Sequence, residues 1–93
     1  MNFSVHDDAE RQRFQIDVDG EPGGFAAYRI RDGVVVITHT EVDPRYRGKG
    51  VGQELAGRAL DLLRERGDRV VPRCPFVARY IRDHPEYADL VDG

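Results

Sequence analysis

Apolar and polar residues alternate along the first third of the chain, and the period then lengthens. Phe3 and Val5 have polar neighbours and predict a short first strand. Phe14, Ile16 and Val18 alternate with Gln15, Asp17 and Asp19, the period of a strand with one wet face. Gly20-Glu21-Pro22-Gly23-Gly24 breaks the chain. Ala26, Tyr28 and Ile30 define the inner face of a third strand, and Asp32-Gly33 signals a hairpin. Val34 to Val42 is nearly continuous in β-branched residues, as expected of a strand covered on both faces.

From Val51 the spacing becomes helical. Val51, Leu55, Ala59, Leu62 and Leu63 recur on one face up to Arg66, and Gly67 is placed to end the helix. Gly57 costs this helix about 1 kcal/mol relative to alanine and predicts close packing onto the sheet. Arg69 to Pro72 reads as a short strand. Pro75 suits the first position of a second helix, with Cys74 just ahead of it. Phe76, Val77, Tyr80 and Ile81 form its apolar stripe, Pro85 stops it at His84, and Glu86 to Val91 make a last short turn. The predicted order is ββββ–α–β–α, an α+β arrangement with two main helices whose first four strands read as an antiparallel meander.

With 93 residues, the chain reads as one domain (1–93). A domain of this size buries only roughly 60–65% of its extended-chain surface, so both a monomer and a homodimer are open. The formal net charge of −3 argues against general affinity for nucleic acid, which needs a net basic face. One cysteine, Cys74, excludes an intramolecular disulfide. No apolar signal segment precedes Phe14, and the longest aliphatic run, Val34 to Ile37, is too short to span a bilayer. A cytoplasmic protein without membrane association or a metal is expected.

The chemistry concentrates in Asp43-Pro44-Arg45-Tyr46-Arg47-Gly48-Lys49-Gly50-Val51-Gly52, between the apolar strand and the first helix. Glycines at every second position strip the loop of side chains, while Arg45, Arg47 and Lys49 bring positive charge. Backbone N–H groups at a helix N-terminus beside such charge make a phosphate site. The loop lacks the Gly-Lys-Ser/Thr ending of a nucleotide P-loop, so no hydroxyl is available for magnesium. Nor do glycines 48, 50 and 52 match G-x-G-x-x-G, whose preceding strand belongs to a βαβ unit.

The loop does match Arg/Gln-x-x-Gly-x-Gly/Ala, as Arg47-x-x-Gly50-x-Gly52. It resembles the acyl-CoA pyrophosphate loop of the GNAT superfamily of N-acetyltransferases. His39-Thr40-Glu41-Val42 before it, and Cys74-Pro75-Phe76, Tyr80 and His84-Pro85-Glu86-Tyr87 after it, are similar to a small single-domain branch of that superfamily. The resemblance covers about residues 34–87. It lacks the N-terminal helical pair and the C-terminal strands that help build the acceptor site in larger members.

The resemblance implies an α+β fold with a mixed, mainly antiparallel sheet and two main helices, acetyl-CoA as co-substrate and an amine as acceptor. It implies that the backbone of Arg47, Gly48, Lys49, Gly50, Val51 and Gly52 receives the pyrophosphate, and that the Val42 N–H bonds the thioester oxygen. Acyl transfer also needs a neutral amine, whereas a lysine-like amine is protonated at neutral pH. Glu41 and His39, two apart on one strand face, are the candidate proton relay. The alternatives are a loop-orienting Glu41 and a hydrogen-bonded core His39. Tyr80 is the family-like acid for the coenzyme A thiolate, or else a core aromatic beside Phe76. Cys74, at a helix N-terminus, lines the channel, donates a proton, or carries the acyl group covalently. A coenzyme A-binding module without turnover is the reading from a different class.

Overall fold

The computed structural model describes residues 1–92. Its strands are β1 (Phe3–Asp8), β2 (Arg13–Val18), β3 (Glu21–Arg31), β4 (Val34–Val42) and β5 (Val70–Pro72). Helix α1 (Val51–Arg66) joins β4 to β5, and helix α2 (Pro75–Asp83) follows. Short 3-10 turns lie at Pro44–Tyr46 and Pro85–Leu90. The sheet runs β1-β2-β3-β4-β5; its first four strands are antiparallel, and β5 is parallel to β4. This is the element order that the apolar periods predict and the mixed sheet that the resemblance implies.

Alternation selects the buried face. Phe14, Ile16, Val18, Ala26, Tyr28, Val35, Ile37 and Val70 enter one core with Leu55, Ala59, Leu60 and Leu63 of α1 and Val77 and Ile81 of α2. Both helices therefore lie on the same side of the sheet. The alternate residues of β2 and β3, among them Arg13, Gln15 and Phe25, face the other way. Leu60 is fully buried although the sequence reading passes over it, because a helix packed against both a sheet and a second helix buries a wider stripe.

Several expectations are corrected by the sheet. The break after β2 is only the turn Asp19-Gly20, with φ of 51° and 85°; Glu21 to Gly24 already belong to β3. Ile16 pairs with Gly24 and Asp17 with Pro22, leaving Gly23 as the extra residue of a bulge, where a strand tolerates proline. Ile30 shares the face of Tyr28 and pairs with buried Val35, yet it is 52% exposed at the strand end beside the Asp32-Gly33 turn. In β4 only Val35, Val36 and Ile37 are buried; from Thr38 onward the strand opens to solvent. Gly57 packs against the Tyr80 hydroxyl rather than the sheet.

Tyr28 ties the core to the β1 side of the sheet. Its hydroxyl donates to Asp7 at 2.6 Å, and Asp7 also accepts from Arg66 at 2.8 Å. Burial, then the hydrogen bond to Asp7, push the Tyr28 phenol up to about 12, against about 10 in an unfolded chain. Between those values the unfolded chain has released a proton that the folded chain keeps. Stability therefore falls as pH rises through this window, by on the order of 2 kcal/mol from this group. Urea unfolding at rising alkaline pH is expected to show a shallower loss for Tyr28→Phe than for the wild type. An equally steep loss would contradict the assignment.

Candidate functional site: an open helix N-terminus beside a split in the sheet

Strands β4 and β5 pair over three residues, Val35 to Ile37 against Val70 to Pro72. The N–H groups of Arg73 and Cys74 then both donate to the Ile37 carbonyl, at 3.0 and 2.9 Å. This pins the apex of a V. Proline at position 72 offers no N–H to extend the ladder, and the chain turns into α2. Among the described residues, the edge of β4 away from β3 has no partner strand beyond Ile37.

A bulge decides what β4 presents along that edge. Ala27 pairs with His39 and Tyr28 with Ile37, so Thr38 is the extra residue. Odd positions face the core up to Ile37, and even positions do so afterwards. Thr40 consequently turns toward the helices, and its Oγ1 lies 3.3 Å from Cys74 Sγ. His39 and Glu41 turn to the opposite face, where His39 Nε2 is 3.1 Å from Glu41 Oε2 and both side chains are 60% exposed. The Asp43 N–H donates to Gly23 at 2.8 Å, while Val42 pairs with Gly24. By antiparallel alternation Val42 occupies a non-hydrogen-bonded position, so its N–H points away from β3 into the split.

The loop after β4 is built to leave its amides free. Asp43 caps the first turn, accepting from the Arg45 N–H at 2.9 Å. That bond, followed by the Arg45 guanidinium, holds the Asp43 carboxyl below the usual range. Arg45 is turned back onto Asp43 and Glu21, at 3.2 and 3.3 Å, so its charge is spent within the fold. Arg47 and Lys49 are exposed and have no ion-pair partner among the described residues. Gly48 and Gly50 adopt φ of 72° and 77°, the left-handed region that favours glycine.

Helix α1 begins at Val51 with Gly50 as its N-cap and no side-chain cap. Its first amide bond runs from Glu54 to Gly50 at 3.1 Å. Among the described residues, the N–H groups of Gly48, Gly50, Val51, Gly52 and Gln53 find no acceptor within the chain. Unpaired donors at a helix N-terminus, with Arg47 and Lys49 nearby, are an anion site. They border a cleft of about 560 Å³ shared with Val42, Tyr46 and Phe76. Phe76 is 38% exposed, and its ring lies where a Cβ on Gly52 would sit, 2.9 Å away. It walls the cleft rather than filling the core.

The candidate catalytic side chains fall into separate places. Cys74 is the N-cap of α2 and only 4% exposed, packed against the split. Tyr80 lies on another face of α2 with Phe76 and His84. Its ring stacks on His84 at 4.0 Å, and burial together with Asp61, Glu86 and Glu54 raises its phenol. It borders an adjoining cavity of about 340 Å³ with Gln53 and Arg79, and its hydroxyl meets Gly57. Glu41 and His39 are across β4 from both. Thr40, Gln53 and Phe76 join the site without having been singled out for these roles. The Thr38 bulge, which exchanges the faces of Thr40 and Glu41, leaves no mark in the pattern of a β-branched run.

No cluster of three or more metal-ligating side chains, and no helix long and apolar enough to cross a membrane, occurs among the described residues.

Residues 13–90 match the family model of the GCN5-related N-acetyl-transferase. The mouse protein NATD1 is 29% identical over 83 residues, covering 87% of this chain and 76% of that protein. Streptothricin acetyltransferase of Streptomyces lavendulae is 41% identical over 64 residues, 66% of this chain but 34% of the relative. Among solved structures, a GCN5-like protein of Staphylococcus aureus superposes with a TM-score of 0.71 at 24% identity, covering 99% of this chain and 90% of that one. It has the same fold. The split sheet, the amide-rich loop and the matched span lead to one assignment: the chain belongs to the GCN5-related N-acetyltransferase family.

Proposed function

We propose that the protein is an N-acetyltransferase that moves an acetyl group from acetyl-CoA to an amine by direct transfer. The observation that carries this reading is the set of unpaired N–H groups of Gly48 and of Gly50 to Gln53, opening onto the cleft beside the split. The diphosphate of the donor would accept these hydrogen bonds, with Arg47 and Lys49 adding charge and α1 its dipole. The pantetheine arm would lie along the unpaired edge of β4, and the Val42 N–H would bond the thioester oxygen as charge develops on it.

The transfer forms one C–N bond and breaks one C–S bond. The amine gives up a proton, and the His39–Glu41 pair on the open face is placed to take it, directly or through water. The leaving thiolate takes a proton on the helix side. Cys74 stands nearest the apex of the split, with Thr40 oriented on its sulfur. Tyr80, whose raised phenol keeps its proton at neutral pH, stands further along the groove between the helices. Burial of Cys74 favours lining the channel or donating a proton over carrying the acyl group.

Incubation with acetyl-CoA and a panel of amines is expected to release coenzyme A over many turnovers. Binding of acetyl-CoA without release from any acceptor would overturn transfer in favour of a binding module. Intact mass after acetyl-CoA alone is expected to stay unmodified. An added acetyl group that Cys74→Ala abolishes would replace direct transfer by the covalent route.

A further inference from the structure

The face of the sheet opposite the helices carries an arrangement that donor binding leaves unused. Phe14 and Ile16 are buried on the helix side, so Arg13 and Gln15 lie on the open side. Across the strands, Arg13 pairs with Ala27 and Ala27 with His39; Gln15 pairs with Phe25 and Phe25 with Glu41. The small Ala27 makes a floor between two charged ends, and Phe25 stands beside it. With strands about 4.8 Å apart, Arg13 and His39 are roughly 10 Å apart at their backbones.

Arg13 is unusual within this array. Its guanidinium carbon lies 4.6 Å above the Phe25 ring, yet it has no ion pair among the described residues, and its Nε is buried without a hydrogen-bond partner. The terminal nitrogens of the guanidinium are not buried in this way and make no hydrogen bond among the described residues, so they are the donors left for an anion. The residues around it enclose a pocket of about 230 Å³ lined by Arg13, Gln15, Phe25, Glu41 and Val42. The carboxylates near it are engaged elsewhere: Asp43 with Arg45 and Glu41 with His39. Val42 borders both this pocket and the donor cleft. A molecule held here thus meets the thioester across the unpaired edge of β4.

We infer that this pocket is the acceptor site, that it takes a small amine carrying a carboxylate, and that Arg13 is the residue that selects the carboxylate. The anion pairs with the terminal nitrogens of Arg13 beside the Phe25 ring, and the amine is directed to the Glu41–His39 end. The pocket is smaller than the roughly 300–1,000 Å³ of sites for drug-sized ligands, which suits a short amino acid. The inference rests on the acyl-transfer reading only for the reaction, not for the binding.

The test compares β-alanine with ethylamine and γ-aminobutyrate with propylamine, pairs that differ by the carboxylate alone. In the full chain loaded with coenzyme A, the Arg13 Nε–H resonance is expected to shift with the carboxylated member and not with its counterpart. In turnover, kcat/KM is expected to favour the carboxylated member by roughly 10- to 100-fold, the range for one charge-assisted hydrogen bond. Arg13→Gln is expected to bring that ratio to about one, and Arg13→Lys to keep part of it. A wild-type ratio near one, or a ratio that survives Arg13→Gln, would overturn the inference. Should neither member of a pair be acetylated, the Arg13 resonance decides alone: a shift with the carboxylate supports the site, and none refutes it.

Discussion

Gly50→Asp is expected to weaken coenzyme A binding by about 1,000-fold while leaving the fold nearly intact. Gly50 has φ of 77°, and a Cβ there meets open space. Aspartate enters the left-handed region more readily than most residues, so the backbone cost is about 1 kcal/mol. A carboxylate at the start of α1 recovers part of that through the helix dipole. The same carboxylate would sit among the free amides of Gly48 and of Gly50 to Gln53, take their hydrogen bonds, and repel an incoming diphosphate. Like charges brought together in a binding site cost several kcal/mol, about three decades in affinity. Gly50→Ala bears the strain without the charge and separates the two effects. Calorimetric titration beside thermal unfolding checks the result; unchanged affinity in the aspartate variant would mean that the anion binds elsewhere.

Gly24→Ala is expected to damage fold and site together. Gly24 pairs with Val42, and a Cβ on it would run into the carbonyl oxygen of Glu41 and lie 3.1 Å from Val42 Cα. These are main-chain atoms of the adjacent strand and cannot swing aside as a side chain can. Strands β3 and β4 must part where β4 forms the wall of the split. Overpacking of this kind costs about 3 kcal/mol, which in a domain of this size lowers Tm by roughly 12–24 °C. The displaced Val42 should also weaken retention of an acyl-CoA. Thermal unfolding with and without acetyl-CoA measures both effects, and a variant with wild-type Tm would show that β3 and β4 are not held in this register.

The chain makes much of this legible because local signals and the final packing agree. The two-residue period of β2, the four-residue period of α1, Gly67 at its end and Pro75 opening α2 each reappear at their predicted positions. The loop is legible for a related reason. Glycines at positions 48 and 50 answer a backbone need that holds wherever the loop occurs, and the helix after it supplies the anion site from its own amides. Tertiary features are what the sequence leaves hidden. The bulges at Gly23 and Thr38 depend on the register between strands, and a one-residue slip exchanges the two faces. His39 and Glu41 therefore share a face as their spacing requires, but only the fold tells that it is the face away from Cys74 and Tyr80. Arg13 is inconspicuous in the chain, since its place over the ring of Phe25 depends on the register with the next strand.

Donor binding by this fold rests on the free amides after β4 holding the diphosphate. Titration of the isotopically labelled protein with coenzyme A, followed amide by amide, tests it most directly. The largest shifts are expected at Gly48, Gly50, Val51, Gly52 and Gln53, with Val42 responding at the split and the Asp32-Gly33 turn silent. Shifts centred away from this loop, or none at millimolar coenzyme A, would contradict it.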